Sequence, residues 1–371
     1  MVLFLHNRYR TTGGEERVVA DLMGLVREQL GERAELLDRD SATTGRGRAT
    51  AGLLRGGLRP EDVGRAVRTG GARVVHAHNL NPTLGWRALA AARAAGARVV
   101  LHLHQYRIVC AIGVCFTRGA ECTRCHGRNT LPGVRLNCRA SLPEAAAYGA
   151  SLALWQRRLA AQADAVIVPS AFARERLREL GAPLPWERVH VLPPPVREPS
   201  HSSPVKSGSY ALVVSRLARE KGVDVAIEAC RAAGVALVIA GDGPEREALR
   251  EQAGDSEVRF VGHVDDSQLA ALRAGAAIAL VPSRSAETFG LAAAEAMAAG
   301  LPVVASRVGA LGELLAEQSL VPAGDVSALA LAIGRLAGDR AAGARGLEQV
   351  RALCAPERVA ASLASIYDAA R

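Results

Sequence analysis

The sequence predicts an α/β protein with two domains, each built on a doubly wound parallel sheet. Three observations lead to this fold class. Short apolar runs alternate with helix-like segments along the whole chain. A Pro- and Ser-rich segment without periodicity, from Leu192 to Pro204, divides these runs into two series, as a linker would. The chain has 371 residues, of which 49% are hydrophobic, and this suffices for two domains with cores of ordinary size.

The first series of apolar runs predicts the strands of an N-terminal domain over residues 1–195. The runs are short and uninterrupted, which is typical of parallel strands buried on both faces. They are Val2–Leu5, Val74–His76, Val99–His102 and Ala165–Val168. Segments with helical spacing separate them, among them Arg17–Glu28 and Arg87–Ala95.

The second series predicts a C-terminal domain over residues 196–350. Its strand-like runs are Ala211–Val214, Ala236–Ala240, Val258–Val261, Ala277–Val281 and Pro302–Ala305. A last helix-like run, Ala355–Ala370, closes the chain. In doubly wound sheets, ligands bind outside the carboxyl ends of the strands, so we expect the functional residues in the loops that follow the strands.

Composition excludes several classes of protein. No uninterrupted apolar run of about 18 residues occurs, which argues against a membrane span. The apolar start, Val2–Leu5, meets polar residues at once and is too short for a signal peptide, so we expect a cytoplasmic protein. The net charge of +9 suits an anionic ligand and leaves peripheral contact with anionic lipid open. The arginines are scattered and aromatic residues make up only 4%, so nucleic acid is not an expected partner.

Two glutamates eight residues apart, Glu287 and Glu295, mark the most informative segment. The Ala-rich run around Glu295 favours a helix, which the Gly300-Leu301-Pro302 stop signal ends before a further strand. A loop-to-helix junction of this kind directs backbone N–H groups and the positive helix end at one point. An anion that carries hydroxyl groups would suit that point, and a nucleotide sugar is such an anion. An ordinary amphipathic helix with two solvated glutamates fits the spacing as well.

These glutamates resemble the E-x7-E motif of the family-4 retaining glycosyltransferases, also called glycosyltransferase group 1, which have the GT-B fold. Residues 215–222 resemble the family's G-R-L-x-x-E-K-G segment, with Ser215 where Gly is usual. Gly241–Pro244 resembles its G-x-G-P loop, and Thr11–Glu16 resembles its Gly-Gly loop. The resemblance covers nearly the whole chain. It implies two facing Rossmann-like domains, an active site in the interdomain cleft, and a C-terminal helix over residues 351–371 that crosses back to the N-terminal domain.

The resemblance also implies roles for single residues. Arg216 and Lys221 would neutralise the donor pyrophosphate, which gains negative charge as it leaves. Glu295 would accept from the ribose hydroxyls, and Glu287 would contact the donor sugar as a catalytic residue. The implied donor-binding residues are Gly14, Arg216, Lys221, Gly243, Val264, Phe289, Gly290, Leu291 and Glu295.

Histidines follow two neighbouring predicted strands of the N-terminal domain. His104 matches the family's active-site histidine, which lies near the anomeric carbon of the sugar, and we expect it to be catalytic. His78 and Asn79 match positions on the acceptor side. A structural role is the alternative for both histidines, and it is the favoured interpretation for His76 and His102.

Five of the seven cysteines fall near residues 110–138, and this density predicts a metal site more than disulfides in a cytoplasmic protein. Cys122 and Cys125 have the spacing of a zinc knuckle. A subset of the resembled family carries such an insert. That likeness implies a structural zinc on Cys110, Cys122, Cys125 and Cys138, with Cys115 as an extra thiol and His126 as a further candidate. Reduced buried thiols are the alternative.

The sequence therefore predicts a retaining glycosyltransferase that moves a sugar from a nucleotide-sugar donor to an acceptor hydroxyl. The donor nucleotide would be UDP, GDP or dTDP, and the acceptor a small molecule, a saccharide or a lipid-linked compound. No divalent ion should be required for catalysis, because cationic side chains and helix ends replace it. A nucleotide-sugar epimerase or a sugar phosphorylase is the alternative of the same architecture. A zinc-bearing nucleic-acid-binding protein is a distant one.

Overall fold

The computed structural model describes residues 1–9, 13–198 and 208–369. Residues 199–204 of the predicted linker and the first two residues of the Thr11–Glu16 motif therefore lie outside the described residues. The chain forms two compact units. The N-terminal unit comprises Met1–Thr117, Cys122–Pro195 and the segment from Pro356 onward, and the C-terminal unit comprises Arg118–Glu121 and Val196–Ala355.

The N-terminal unit is built on a six-stranded parallel sheet with the order β2-β1-β3-β4-β7-β8. Its strands are β1 Val2–Arg8, β2 Ala34–Asp40, β3 Val74–Ala77, β4 Arg98–His102, β7 Ala165–Val168 and β8 Val189–Val191. Two short strands lie between β4 and β7 along the chain, β5 Phe116–Thr117 in the N-terminal unit and β6 Ala120–Glu121 in the segment that belongs to the C-terminal unit. The helices before the linker are α1 Gly14–Glu28, α2 Arg46–Arg55, α3 Pro60–Gly70, α4 Gly85–Ala94, α5 Leu131–Arg135, α6 Leu142–Ala160 and α7 Ala171–Glu179.

Alternation along the central strands places different residues on the two faces of this sheet. Leu3 of β1, Val75 of β3 and Leu101 of β4 belong to one apolar core. The intervening positions carry Phe4 and His76, whose rings pack at 5.1 Å between centroids. The sheet therefore has one apolar face and one face on which histidines are buried.

The C-terminal unit has a second six-stranded parallel sheet with the order β11-β10-β9-β12-β13-β14. Its strands are β9 Tyr210–Val214, β10 Ala236–Ala240, β11 Val258–Gly262, β12 Ala276–Val281, β13 Val303–Ser306 and β14 Leu320–Val321. Its helices are α8 Val223–Ala233, α9 Arg246–Ala253, α10 Asp266–Gly275, α11 Leu291–Ala298, α12 Leu311–Leu314, α13 Val326–Leu336 and α14 Arg340–Cys354. The strand order reverses between β9 and β12, the place where doubly wound sheets bind ligands.

The last helix, α15 Pro356–Ala369, belongs to the N-terminal unit. Tyr367 of this helix is fully buried, and its hydroxyl lies 2.7 Å from Nδ1 of His76. The guanidinium of Arg98 donates a hydrogen bond of 2.9 Å to the Tyr367 carbonyl. These two contacts connect α15 with β3 and β4.

The two parallel sheets with interspersed helices confirm the predicted α/β class. Every predicted apolar run forms a strand, with ends that differ by a few residues at most. Within the described ranges, no helix combines the length and apolarity that crossing a membrane requires.

Candidate active site

An ion pair joins the loops that follow β9 and β12, across the point where the strand order of the C-terminal sheet reverses. Nζ of Lys221 lies 2.6 Å from Oε1 of Glu287, and the Ser283 hydroxyl donates to the same oxygen at 2.6 Å. Burial alone would raise the pKa of Glu287, but the charge of Lys221 and these two hydrogen bonds outweigh it and hold the pKa below its ordinary value. Glu287 is therefore a carboxylate at neutral pH.

Arg216 adds a second cation to this region. Its side chain is about half exposed and donates a hydrogen bond to the carboxylate of Glu220, four residues further along the chain. The charge of Arg216 also contributes to the lowered pKa of Glu287. The structure thus brings Arg216, Lys221 and Glu287 together, three residues that the sequence assigned to the donor site.

Gly243 brings the loop after β10 against the loop after β9. A Cβ atom at this position would lie 2.3 Å from the Leu217 carbonyl oxygen, so only glycine permits this approach. The neighbouring Asp242 stabilises the turn by accepting a hydrogen bond of 2.7 Å from the Gly243 amide. Val264, a further predicted donor residue, is half-buried two residues after β11.

Helix α11 begins immediately after Gly290, which has a φ of 100° that favours glycine. The side chain of Phe289 is buried in the core, so a ligand could contact this residue only through its backbone. Leu291 is the first residue of the helix, where the amides have no partner within the helix. Gly14, the remaining predicted donor residue, is exposed at the start of α1 in the N-terminal unit.

Glu295 is paired within the C-terminal unit, which rules out the alternative of a solvated surface glutamate. The guanidinium of Arg273, on α10, donates a hydrogen bond to its carboxylate. The two side chains are only 14% and 11% exposed. Sequence reasoning missed Arg273, because its position beside Glu295 depends on the packing of two helices.

Four histidines of the N-terminal unit, His76, His78, His102 and His104, form what we call the histidine stack. Nε2 of His76 lies 3.2 Å from Nδ1 of His102, and Nδ1 of His78 lies 2.7 Å from Nε2 of His104. The two hydrogen-bonded pairs stack on each other, with ring centroids 4.5 Å apart for His76 and His78 and 4.2 Å apart for His102 and His104. The parallel register of β3 and β4 brings the four rings together.

Burial keeps the histidine stack neutral at pH 7. It lowers the pKa of His76 to about 3 and lowers those of His78 and His102 well below their ordinary values. Burial also lowers the pKa of His104, although the charge of Glu15 opposes this shift. His104 is therefore a neutral imidazole, hydrogen-bonded to His78, and can donate or accept one proton in a polar contact.

His78, Asn79 and His104 line one pocket of the N-terminal unit, with a cavity volume of about 70 Å³, which we call the histidine pocket. The Asn79 amide donates to the Asn7 carbonyl at 2.5 Å and accepts from the Asn81 amide at 3.2 Å, so it also holds the loop that forms the pocket. The structure thus places the predicted catalytic histidine with both predicted acceptor-side residues.

Glu15 lines the same pocket, and sequence reasoning gave it no separate role. Its Oε2 accepts hydrogen bonds from the Tyr9 hydroxyl at 2.8 Å and from the Gln105 amide at 3.3 Å. Sequence reasoning therefore missed this carboxylate of the pocket. The available signal was its place beside Gly13 and Gly14 at the start of α1.

Three side chains of the histidine stack could in principle bind a metal ion, because their ligand atoms all lie within 4.8 Å of one another. These are His76, His78 and His102. No other set of three among the described residues meets this condition. Both ring nitrogens of His76 already have hydrogen-bond partners, Tyr367 and His102. The arrangement is therefore better described as a hydrogen-bonded network than as an open metal site.

The five clustered cysteines line a second pocket of the N-terminal unit. They are Cys110, Cys115, Cys122, Cys125 and Cys138, and none of them is in a disulfide. A hydrogen bond from Cys115 lowers the pKa of Cys110 to about 6 and raises the pKa of Cys115. His126 is not among the residues that line this pocket, and its exposed ring lies against Gly181.

Two family matches cover most of the chain. Residues 8–195, just over half of its length, match the family described as glycosyl transferase 4-like domain. The chain belongs to the glycosyltransferase 4-like family. Residues 208–339 of this glycosyltransferase match glycosyl transferases group 1, so the predicted glycosyltransferase class is confirmed. Membership of the subset with a cysteine-rich insert stays a prediction.

Curated relatives of this glycosyltransferase include two proteins of Mycobacterium tuberculosis. It is 39% identical over 177 residues to a glycogen synthase, and the matched stretch covers 43% of this chain and 42% of the relative. It is 38% identical over 178 residues to a GDP-mannose-dependent alpha-(1-6)-phosphatidylinositol dimannoside mannosyltransferase, covering 44% and 46%. The matches span less than half the length of these relatives.

Solved structures show the fold of the glycosyltransferase. Sucrose-phosphate synthase from Thermosynechococcus elongatus has a TM-score of 0.70 at 19% identity, covering 99% of this chain and 98% of the other. Anabaena HepE in complex with UDP and glucose has a TM-score of 0.64 at 20% identity, covering 98% of both chains. These likenesses confirm the predicted GT-B fold of two Rossmann-like α/β domains.

Proposed function

We propose that the protein is a retaining glycosyltransferase that moves a sugar from a nucleotide-sugar donor to an acceptor hydroxyl. The observation that carries the proposal is the Lys221–Glu287 ion pair, which lies at the ligand-binding edge of the C-terminal sheet. It offers a cation for the pyrophosphate beside a carboxylate for sugar hydroxyls. A nucleoside diphosphate sugar carries a pyrophosphate joined directly to a second sugar ring, whereas a free nucleotide lacks this second ring and a free sugar lacks the pyrophosphate.

The cations of this site are held by carboxylates of the same unit, Lys221 by Glu287 and Arg216 by Glu220. The pyrophosphate would exchange these contacts for charge-assisted hydrogen bonds to both cations. Arg216, Lys221 and the amides at the start of α11 would then stabilise the leaving nucleoside diphosphate. Because these groups supply the positive charge, we propose that no divalent ion is required.

Retention is proposed to arise on one face of the sugar. The bond from the anomeric carbon to phosphate breaks, the bond to the acceptor oxygen forms on the same face, and the acceptor proton passes to the departing phosphate oxygen. A double displacement would need a carboxylate nucleophile. Glu15 is less suited to that role, because two hydrogen bonds occupy its Oε2. The neutral His104 would position the reacting groups by hydrogen bonding.

A structural zinc is proposed for the cysteine pocket, on Cys110, Cys122, Cys125 and Cys138. Support comes from the common lining of one small pocket by these cysteines, none of which is in a disulfide. Their sulfurs are not gathered as closely as the ring nitrogens of His76, His78 and His102, so the site would have to close around the ion. Four thiolates complete a tetrahedral shell and leave no open position, which makes the role structural. The insert would then fold around the ion, and the ion would take no part in transfer.

The donor nucleotide is proposed to be UDP, GDP or dTDP, and the location cytoplasmic. UDP is bound by HepE, and GDP-mannose is named for the mannosyltransferase relative. The acceptor would be a hydroxyl compound, whether a small molecule, a saccharide or a lipid-linked one. Peripheral contact with anionic lipid would accompany the last of these.

A donor screen with product analysis tests the function. Thermal unfolding with UDP, GDP, dTDP and their sugars should show a rise in Tm for one nucleotide series, since binding to the native state alone stabilises it. The stabilising donor should release nucleoside diphosphate in an acceptor-dependent way, and NMR of the product should show the donor's anomeric configuration. An epimerase would isomerise the donor without acceptor, and a phosphorylase would need inorganic phosphate. Either result would replace the transferase proposal.

A further inference from the structure

We infer that the acceptor carries its hydroxyl on an apolar ring, and that this ring binds in the histidine pocket. The inference rests on the proposed function, because it names the substrate class of the acceptor side. The pocket has two kinds of wall. Its lining contains polar residues, among them His78, His104 and Glu15, and a group of apolar side chains that we call the apolar wall.

The apolar wall is formed largely by α4 and α6. Trp86 comes from α4, and its indole lies 5.9 Å from that of Trp155 on α6. Leu152 and Leu159 from α6 and Ile108 complete this wall. Indole faces and leucine side chains bind apolar rings well and give a bare polyhydroxylated saccharide few hydrogen-bonding partners. The lining therefore favours an acceptor with an apolar body.

Four buried polar atoms of the lining have no hydrogen-bond partner among the described residues. Two of them belong to polar residues, Nε2 of His78 and Nε of Arg107. The other two lie on the helices of the apolar wall, the donor Nε1 of Trp86 and the acceptor Oε1 of Gln156, a residue that is 2% exposed. The orientation of the Gln156 amide follows from its Nε2, which donates to the Gly127 carbonyl at 2.7 Å. Nε1 of Trp155, by contrast, donates to the carbonyls of Leu53 and Leu54 at 3.1 and 3.2 Å.

An unsatisfied buried polar group is costly, so such groups point to a ligand that pairs them. One donor and one acceptor within an apolar wall match a ring with a single polar substituent, for example a hydroxyl. A pure hydrocarbon would leave both atoms unpaired. The recognised class is therefore an aromatic or alicyclic ring that has few polar groups and lies next to the reacting hydroxyl.

The three tryptophans of the chain allow a direct binding test. Trp186 lies outside the pocket, so in a Trp186→Phe background the fluorescence comes from Trp86 and Trp155 alone. Titration with 4-hydroxyphenyl β-D-glucoside, which carries a hydroxyl on an apolar ring, should change this fluorescence with a Kd at least about tenfold lower than that of methyl β-D-glucoside, because the phenyl ring buries apolar surface. Equal Kd values for the two probes would overturn the inference.

A second variant separates recognition from fold. Trp86→Phe in the same background keeps an aromatic side chain, smaller than indole, and removes the unpaired N–H, and Trp155 remains as the reporter. We expect the Kd of 4-hydroxyphenyl β-D-glucoside to rise at least about fivefold, the effect of one lost hydrogen bond together with some apolar contact, in a protein that still folds. An unchanged Kd, as expected if Nε1 is paired with water alone, would also overturn the inference.

The donor side is measured separately by calorimetry with UDP, GDP and dTDP on the same proteins. Failure of all three nucleotides to bind would refute the proposed function, while the fluorescence titration would still report on the pocket. Nucleotide binding together with equal Kd values for the two glucosides would leave the transferase proposal intact and refute only the apolar acceptor. The two failures are thus distinguishable.

Discussion

Lys221 and Glu287 form an ion pair of 2.6 Å between residues 66 positions apart in the sequence. Each follows a central strand of the C-terminal sheet, β9 in one case and β12 in the other. The sheet brings the two loops together because these strands are neighbours at the reversal of strand order. The pair therefore connects the two motifs that carry the proposed donor site.

Replacing Lys221 with Met should lower kcat/KM for the donor by at least about 100-fold. The variant loses a cation that the proposal assigns to the leaving diphosphate, and losses of one such contact are of this order. Steady-state kinetics at subsaturating donor measures the effect. Arg219→Met is a matched control in the same turn, because Arg219 is 75% exposed and pairs with Glu245. Similar rates for both variants would remove Lys221 from the site.

Glu295→Gln should raise the donor KM more than it lowers kcat, because ribose contacts are equal in the ground and transition states. It should also destabilise the fold by about 1–3 kcal/mol, since Arg273 loses a charged partner in a nearly buried position. Arg273→Met serves as the comparison. If Glu295 is only structural, both variants will lose stability while the donor KM stays at the wild-type value.

The free energy of unfolding should fall as the pH drops below 6.5. In that range the four histidines stay neutral in the folded protein but become protonated in the unfolded chain. The folded pKa of His76 is lowered to about 3, and those of its three neighbours are also lowered. The unfolded chain therefore binds more protons below pH 6.5, so stability is fully present above 6.5 and is lost as the pH falls toward 3. The slope is up to about 1.4 kcal/mol per pH unit for each histidine.

Urea unfolding between pH 7.5 and 5 measures this dependence. Glu287 does not change the stability within this pH window. A carboxyl group whose pKa is lowered by folding loses its contribution to stability only when the pH falls below its ordinary pKa, here 4.5. His76→Gln should reduce the slope, whereas replacing the exposed His263 by Gln should not. A flat profile in the wild-type protein would contradict a neutral buried stack.

The cysteine pocket should bind about one zinc per chain. Elemental analysis of protein purified without an affinity metal measures the content. Cys122→Ser and Cys125→Ser should lose the ion, while Cys115→Ser and the α8 variant Cys230→Ser should keep it. A content near zero, with all seven thiols titratable after unfolding, would favour reduced structural cysteines.

The fold was predictable where strands are buried on both faces, as for β9 and β10. A short run made only of apolar residues is stable inside the protein and not at its surface, so it identifies such a strand. Strand β2 was missed because Ala34–Asp40 is mostly charged, with Glu35, Asp38, Arg39 and Asp40 around two adjacent leucines, at the edge of its sheet. The donor candidates could be found because each follows a predicted strand. The partner of Glu295 and the histidine stack could not be found, because they depend on helix packing and on the register of β3 against β4.

His104→Ala should bind nucleoside diphosphate nearly as well as the wild-type protein and transfer sugar poorly. Apart from Gly14, the predicted donor-binding residues belong to the C-terminal unit, whereas His104 belongs to the N-terminal unit and lies in the histidine pocket. Removing its imidazole leaves the charges of Arg216 and Lys221 unchanged. It takes away the hydrogen-bonding group that the proposal places beside the reacting atoms, and such positioning groups commonly contribute about 100-fold or more to the rate.

Calorimetry with nucleoside diphosphate and single-turnover kinetics with saturating donor separate these two effects. His104→Asn is the companion variant, because an amide can partly restore a neutral hydrogen bond and should recover part of the rate. His190→Asn is the control, since His190 is a half-buried histidine on β8, outside the histidine pocket. If His104→Ala folds with a normal Tm but no longer binds diphosphate, then His104 belongs to donor binding and its assignment to the transfer step is wrong.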